Sequence, residues 1–223
     1  MGIRKPVVTY VVKAILSILC KIDSKEYVKA LSCNKPLLVI FNHINFLEIP
    51  VLVTHSYPIS VSGLVKSETW KNPVMAFLFN TYKAVPINRS GAFADAFKQV
   101  LEAVERGVYM LIAPEGTRSK DGVLGRGRPG IIQLAMESGV PILPVAHHGG
   151  ENIWQNIRRF RRTPVALRAG RPFRIKFDGK PGKEERELIL TEVMTQIAVL
   201  LPEQMRGIYS ECAQSEFKYL DFI

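Results

Sequence analysis

Short apolar runs rich in β-branched residues alternate with stretches of helical apolar spacing along this chain. That alternation predicts an α/β domain with a mixed, largely parallel central sheet flanked by helices. The size agrees: 223 residues, 47% hydrophobic and 22% charged, suffice for one globular core rather than two very small domains. The apolar runs are also too short to cross a bilayer, which takes ~18 uninterrupted residues. The chain divides into an N-terminal helical segment over 1–30 and a main domain over 31–223.

Residues 6–22 have helical spacing, with Val7, Val8, Val11, Val12, Ile15, Leu16, Ile18 and Leu19 over a wide face. The segment reads either as a helix docked over the core or as an amphipathic helix at a membrane interface, and the flanking cations Arg4, Lys5, Lys13 and Lys21 favour the membrane. Lys13 and the lack of a small-residue cleavage site set it apart from a signal peptide. Leu37–Phe41 is a continuous apolar run, hence a buried strand, and Ile59–Val65 is a second. A helix through Met75 to Tyr82 follows, then a short strand over Val85–Asn88 ending at Arg89. Ala92–Glu105 has helical spacing with Gly107 as its stop. Val108–Ala113 is another buried strand, followed by a glycine-rich basic loop over 121–130 and a helix over 131–137. Val140–Val145 reads as a strand, and Pro141 and Pro144 predict an edge position or irregular pairing for it. Val165–Arg168 and Phe173–Phe177 are late strands, Glu184–Leu201 is a helix, and the tail is polar.

The formal net charge of +10 and pI near 9.6 point to an anionic partner: nucleic acid, an acidic membrane surface or a phosphorylated substrate. Arg158, Arg159, Arg161, Arg162, Arg168, Arg171, Arg174 and Lys176 concentrate the charge after Trp154, with Phe160 among them. This favours anionic lipid headgroups. A nucleic-acid module is not recognisable, and aromatic interleaving is sparse. Cys20, Cys33 and Cys212 are widely spaced, which argues against a disulfide framework or a zinc site and for a reducing compartment.

Chemistry is concentrated at two strand ends. Val39-Ile40-Phe41 runs into Asn42-His43, and Glu48 follows five residues after the histidine. An imidazole with a carboxylate partner is the equipment of a general base. On one regular helix, positions five apart point well away from each other. The two meet only if His43 lies in the loop and Glu48 in the first helical turn. Asn45 and Glu48 have capping-box spacing, so the capping reading and the catalytic reading require the same geometry. Pro114-Glu115-Gly116-Thr117-Arg118-Ser119 follows the next buried strand, at the end where open α/β sheets bind ligands. Arg118 offers a planar fork for phosphate; Arg89 and Lys66, also just past strands, could add to a phosphate clamp. His147 and His148 lack a carboxylate or thiol at ligand spacing, so no metal site is expected. The chain contains no G-x-S-x-G elbow and no cysteine within a motif, so no covalent nucleophile is expected.

These blocks together resemble the glycerolipid acyltransferases. Asn42-His43 with Glu48, Ile87-Asn88-Arg89, Pro114-Glu115-Gly116-Thr117-Arg118-Ser119 and Val140-Pro141-Ile142-Leu143-Pro144-Val145 match the family's four ordered blocks, and the subgroup acting on 1-acylglycerol-3-phosphate is the most similar. The resemblance implies that His43 is the base with Glu48 its partner, that Arg89 binds the acceptor phosphate, and that Glu115, Gly116, Thr117 and Arg118 bind glycerol phosphate. It implies transfer of a fatty acyl group to a lysophospholipid hydroxyl, giving phosphatidic acid. The donor would be an acyl-CoA or acyl-carrier-protein thioester, with no further cofactor, at the cytoplasmic face of a membrane. Two positions depart from the pattern: Glu48 stands where the family has aspartate, and Lys83 where it has glycine. A different lipid acceptor, thioester hydrolysis, and a basic lipid- or nucleic-acid-binding protein without catalysis are the rival readings.

Overall fold

The computed structural model describes residues 4–33, 36–87, 93–211 and 216–223. Helix α1 (Arg4–Leu19) leads into strand β1 (Cys20–Asp23), short helix α2 (Lys25–Ala30) and β2 (Leu38–Phe41). Then come α3 (Glu48–Ser56), β3 (Val61–Lys66), α4 (Pro73–Tyr82), β4 (Val85–Ile87), α5 (Phe93–Glu105) and β5 (Tyr109–Ile112). The chain continues through α6 (Gly130–Ser138), β6 (Ile142–Gly149), α7 (Ile153–Arg158), β7 (Thr163–Ala169), β8 (Phe173–Ile175), α8 (Lys183–Ala198) and β9 (Leu220–Phe222).

The strands form one mixed, largely parallel sheet in the order β1-β7-β6-β2-β5-β3-β4, with β8 pairing β6 and β9 pairing β8. Strands β6, β2, β5, β3 and β4 all run parallel; β7 is antiparallel to β6, and β1 is parallel to β7. Alternation along β2 assigns the two faces. Leu38 and Ile40 join one apolar cluster with Ala96, Val100, Ile131, Leu134, Val193 and Ile197 of α5, α6 and α8. Val39 and Phe41 join the other with Leu16, Tyr27, Val51 and Leu52 of α1, α2 and α3. Both faces are thus covered by helices, as a parallel sheet requires.

Three expectations are corrected. The helix read over 6–22 stops at Leu19, because Cys20–Asp23 pair residue for residue with Thr163–Ala166. Of the two readings of strand β6, the edge position is excluded, since it lies between β2 and β7, and irregular pairing is what the structure has. Its prolines fit for a local reason. Pro144 lies where the neighbour on one side changes from β8, paired at Ile142, to β7, paired from Val145. Its carbonyl accepts from Gly170 N–H at 2.9 Å, while its nitrogen, which has no N–H to give, lies where the pairing changes over. The polar tail carries a further strand, β9.

One topological feature places the site. The chain leaves β2 for α3 on one face of the sheet, and leaves the adjacent β5 for α6 on the other. The connections after these two adjacent strands depart to opposite faces, the switch point at whose carboxyl ends such sheets bind ligands.

Candidate active site

The loop after β2 holds His43. Its side chain is 24% exposed, and Nδ1 lies 3.0 Å from Glu48 Oε2. Glu48 opens α3 and is fully buried. Its other oxygen, Oε1, accepts the backbone N–H groups of Ile44 at 2.8 Å and Asn45 at 2.5 Å. Asn45 Oδ1 in turn accepts from Leu47 N–H at 2.8 Å. The capping box expected at Asn45 is not what forms: α3 starts at Glu48 with Leu47 at its N-cap and no side-chain cap bond, and it is the turn over 44–47, bonded through Glu48 Oε1 and Asn45 Oδ1, that aims the carboxylate at the ring. A carboxylate only accepts, so Nδ1 carries the ring proton and Nε2 keeps its lone pair. That lone pair is the only one the ring has free to take a proton.

The loop after β5 is clasped to the first. Glu115 Oε1 accepts from His43 N–H at 2.8 Å, and His43 C=O accepts from Ser119 N–H at 2.7 Å. Glu115 Oε2 accepts from Gly125 N–H at 2.8 Å. The carboxylate is buried, and burial pushes its pKa above the ordinary value despite these donors. Glu115 is thus turned inward, and both of its oxygens hold backbone.

Gly116 has φ of +69°, and a Cβ there would come within 2.6 Å of Arg128 Nε. Only glycine allows that approach without strain. Thr117, Arg118 and Lys66 are exposed; Lys66 ends β3 on the same sheet edge, in register with Ile87. Arg89 lies outside the described residues. Lys83 takes up a left-handed conformation, φ 53°, at the end of α4, so it fills the turn that glycine makes in the resembling family.

Two neighbours of the site go beyond the sequence reading. Arg128 donates from Nε to Glu115 C=O at 3.2 Å and covers Gly116. Together with Gly116 it borders an apolar cavity of about 110 Å³ lined by Leu64, Phe97, Ile112, Ile131 and Leu134. The second is His147, buried on β6, with Nδ1 3.7 Å from Glu48 Oε1. Its backbone is gripped by Asn42, whose Nδ2 donates to His147 C=O at 2.8 Å and whose Oδ1 accepts His147 N–H at 2.7 Å. The basic loop over 121–130 was the one sequence signal for Arg128. No signal marked His147 as a neighbour of Glu48, because that depends on register. Among the described residues, no group of three or more His, Cys, Asp or Glu side chains could hold a metal ion.

The model of the acyltransferase family matches residues 20–148. A chloroplastic 1-acyl-sn-glycerol-3-phosphate acyltransferase of Brassica napus is 32% identical over 120 residues, 53% of this chain and 34% of that protein. The corresponding enzyme of Limnanthes douglasii is 31% identical over 151 residues, 66% of this chain and 51% of that one. The chain thus spans from about a third to a half of the length of these relatives. A likeness of fold extends further. The crystal structure of the 1-acyl-sn-glycerophosphate acyltransferase of Thermotoga maritima superposes with a TM-score of 0.59 at 22% identity, covering 98% of this chain and 86% of that one.

Proposed function

This chain belongs to the acyltransferase family, and from that premise we propose that it moves a fatty acyl group from a thioester to the free hydroxyl of 1-acylglycerol-3-phosphate, giving phosphatidic acid. The observation that carries the reading is the His43–Glu48 pair, held 3.0 Å apart beside the clasped loop over 114–119. His43 Nε2 takes the proton of the acceptor hydroxyl as its oxygen attacks the thioester carbon. Glu48 stabilises the imidazolium that forms. As the C–S bond breaks, the imidazolium returns the proton to the departing thiolate, and the ester C–O bond is complete. A thioester is already activated, so a neutral imidazole suffices, and a positioned base of this kind contributes ~10²–10⁴-fold.

The other residues take roles consistent with their placement. Arg118, Lys66 and, by the resemblance, Arg89 supply cations for the acceptor phosphate. Gly116 and Thr117 line its approach. Glu115 holds the two loops together from within. The apolar cavity beside Gly116 and Arg128 suits part of an acyl chain.

We place the enzyme at a membrane surface, on the cytoplasmic side. Cysteines without disulfide spacing support that side. Among the described residues no helix is long and apolar enough to cross a membrane. Helix α1 nonetheless presents Val7, Tyr10, Val11, Ile15 and Ile18 outward, with Ile18 72% exposed. Phe77 of α4 is exposed with Arg4 over its ring at 4.2 Å. Trp154, 64% exposed, stacks on Phe46 of the His43 loop with ring centroids 5.6 Å apart, near the exposed cations Arg158, Arg159 and Arg161. Exposed apolar groups rimmed by cations suit an anionic lipid interface.

The test offers purified protein a panel of lysophospholipids with acyl-CoA and with acyl-carrier-protein thioesters. The reading expects phosphatidic acid from lysophosphatidate with at least one donor. Thioester cleavage at the same rate with and without acceptor would make it a hydrolase instead.

A further inference from the structure

Among the described residues, only His147 leaves buried side-chain polar atoms without a hydrogen-bond partner: both of its ring nitrogens. The alternation of β6 explains where the ring points. Leu143 and Val145 face the α1–α3 side of the sheet, and His147 continues that row towards the start of α3. A strand packed on both faces calls for an apolar residue at this position, and a buried polar group left unpaired in a native core requires an explanation. The titratable groups facing the ring are Glu48 from α3, His43 from the loop after β2, and His148 and Glu151 from β6 and the turn beyond it. Glu48 lies nearest, with Oε1 at 3.7 Å from His147 Nδ1.

We propose that His147 is a positioning residue for the acyl transfer proposed above, a neutral imidazole whose Nδ1–H donates to Glu48 Oε1 and so fixes the carboxylate that orients His43. The inference rests on that functional reading for its catalytic meaning only. Contacts of this kind are often long in unliganded sites and tighten in the reacting complex. Closing from 3.7 Å to an ordinary ~2.9 Å needs only a small rotation of either side chain. Burial holds the His147 pKa below the usual imidazole range, which keeps the ring neutral and a single-proton donor. His147 keeps its proton throughout the reaction. Its effect on His43 runs through charge: a donor on Oε1 withdraws negative charge from Oε2, the oxygen that faces His43 Nδ1.

The length of Glu48 belongs to the same device. An aspartate at this position would withdraw the carboxylate by roughly one C–C bond, ~1.5 Å, and leave His147 without an acceptor. His147 and Glu48 should therefore be coupled.

Nuclear magnetic resonance of the ring nitrogens tests this without requiring turnover. In the wild-type protein His147 should be neutral with the proton on Nδ1; a proton on Nε2 alone overturns the proposal, and this readout needs no variant. In His147→Leu the His43 ring resonances should titrate at higher pH than in the wild type, and the acid limb of the kcat/KM profile should move with them. The expected fall in kcat is several-fold, with both KM values within twofold. His147→Gln, which retains an N–H donor, should restore both. In the Glu48→Asp background His147→Leu should change neither. A folded His147→Leu with an unmoved His43 titration marks the residue as structural and overturns the proposal. Absence of any acyl transfer by the wild type would instead sink the functional reading and leave the coupling of the two rings standing.

Discussion

His43, Glu48 and Gly116 each do one thing that no similar residue does as well. His43→Ala removes the only group placed to take the acceptor proton, so kcat should fall by ~10²–10⁴-fold, while the melting temperature moves little because the ring is part-exposed. Glu48→Gln keeps the volume but puts an amide N–H against one of the donors that the carboxylate now satisfies, so it should lose both rate and stability. Gly116→Ala meets a positive φ and the Arg128 side chain at 2.6 Å. It should cost about 1–2 kcal/mol, read by chemical denaturation, and reduce turnover through the displaced loop. At this scale the sequence was informative where spacing was local. The His43–Glu48 contact could be read because both residues belong to one short loop and the first turn after it, although the turn is closed by Glu48 on the backbone of Ile44 and Asn45 rather than by a cap at Asn45. Arg128 could not, because it reaches Gly116 only after the loop over 121–130 has folded back.

The elements are held in register by a few buried polar ties. Asn42, at the end of β2, bonds both backbone groups of His147 on β6. Asn42→Ala leaves a buried N–H and C=O unpaired, at about 1–3 kcal/mol each. The unfolding free energy should drop by a few kcal/mol, and activity should fall with it, because the same tie sets the position of His43. An effect below 1 kcal/mol would show that the register is fixed elsewhere. Strands β2 and β5 were legible as apolar runs because they are central and buried on both faces. Strands β1 and β9 were not, being short and defined by pairing with Thr163–Ala166 and Phe173–Ile175. For strand β6 the prolines left an edge position and irregular pairing both open: Pro144 lies where the neighbouring strand changes, which no single-chain pattern reveals.

For the molecule as a whole, acid should act through one buried and two half-buried imidazoles. Burial holds the pKa of His147, His55 and His148 below the ordinary imidazole value. Between those lowered values and about 6.5, the unfolded chain binds protons that the folded chain refuses. Stability should therefore rise with pH through that window and be lost as pH falls through it. Removing His147 should flatten part of this slope. The lipid surface is a second property of the whole. Ile15→Ser with Ile18→Ser should weaken binding to anionic phospholipid vesicles in sedimentation by at least ~100-fold, since about six side-chain carbons leave the interface at ~0.8 kcal/mol each. The acyl transfer rate on detergent-dispersed acceptor should remain. The central claim is that a paired His43 turns a thioester and a lysophospholipid hydroxyl into an ester. It is tested most directly by incubating wild-type and folded His43→Ala protein with lysophosphatidate and an acyl thioester and measuring phosphatidic acid. The predicted result is product from the wild type that depends on acceptor, and at least 100-fold less from the variant. Equal product from both, or thioester cleavage indifferent to acceptor, would contradict it.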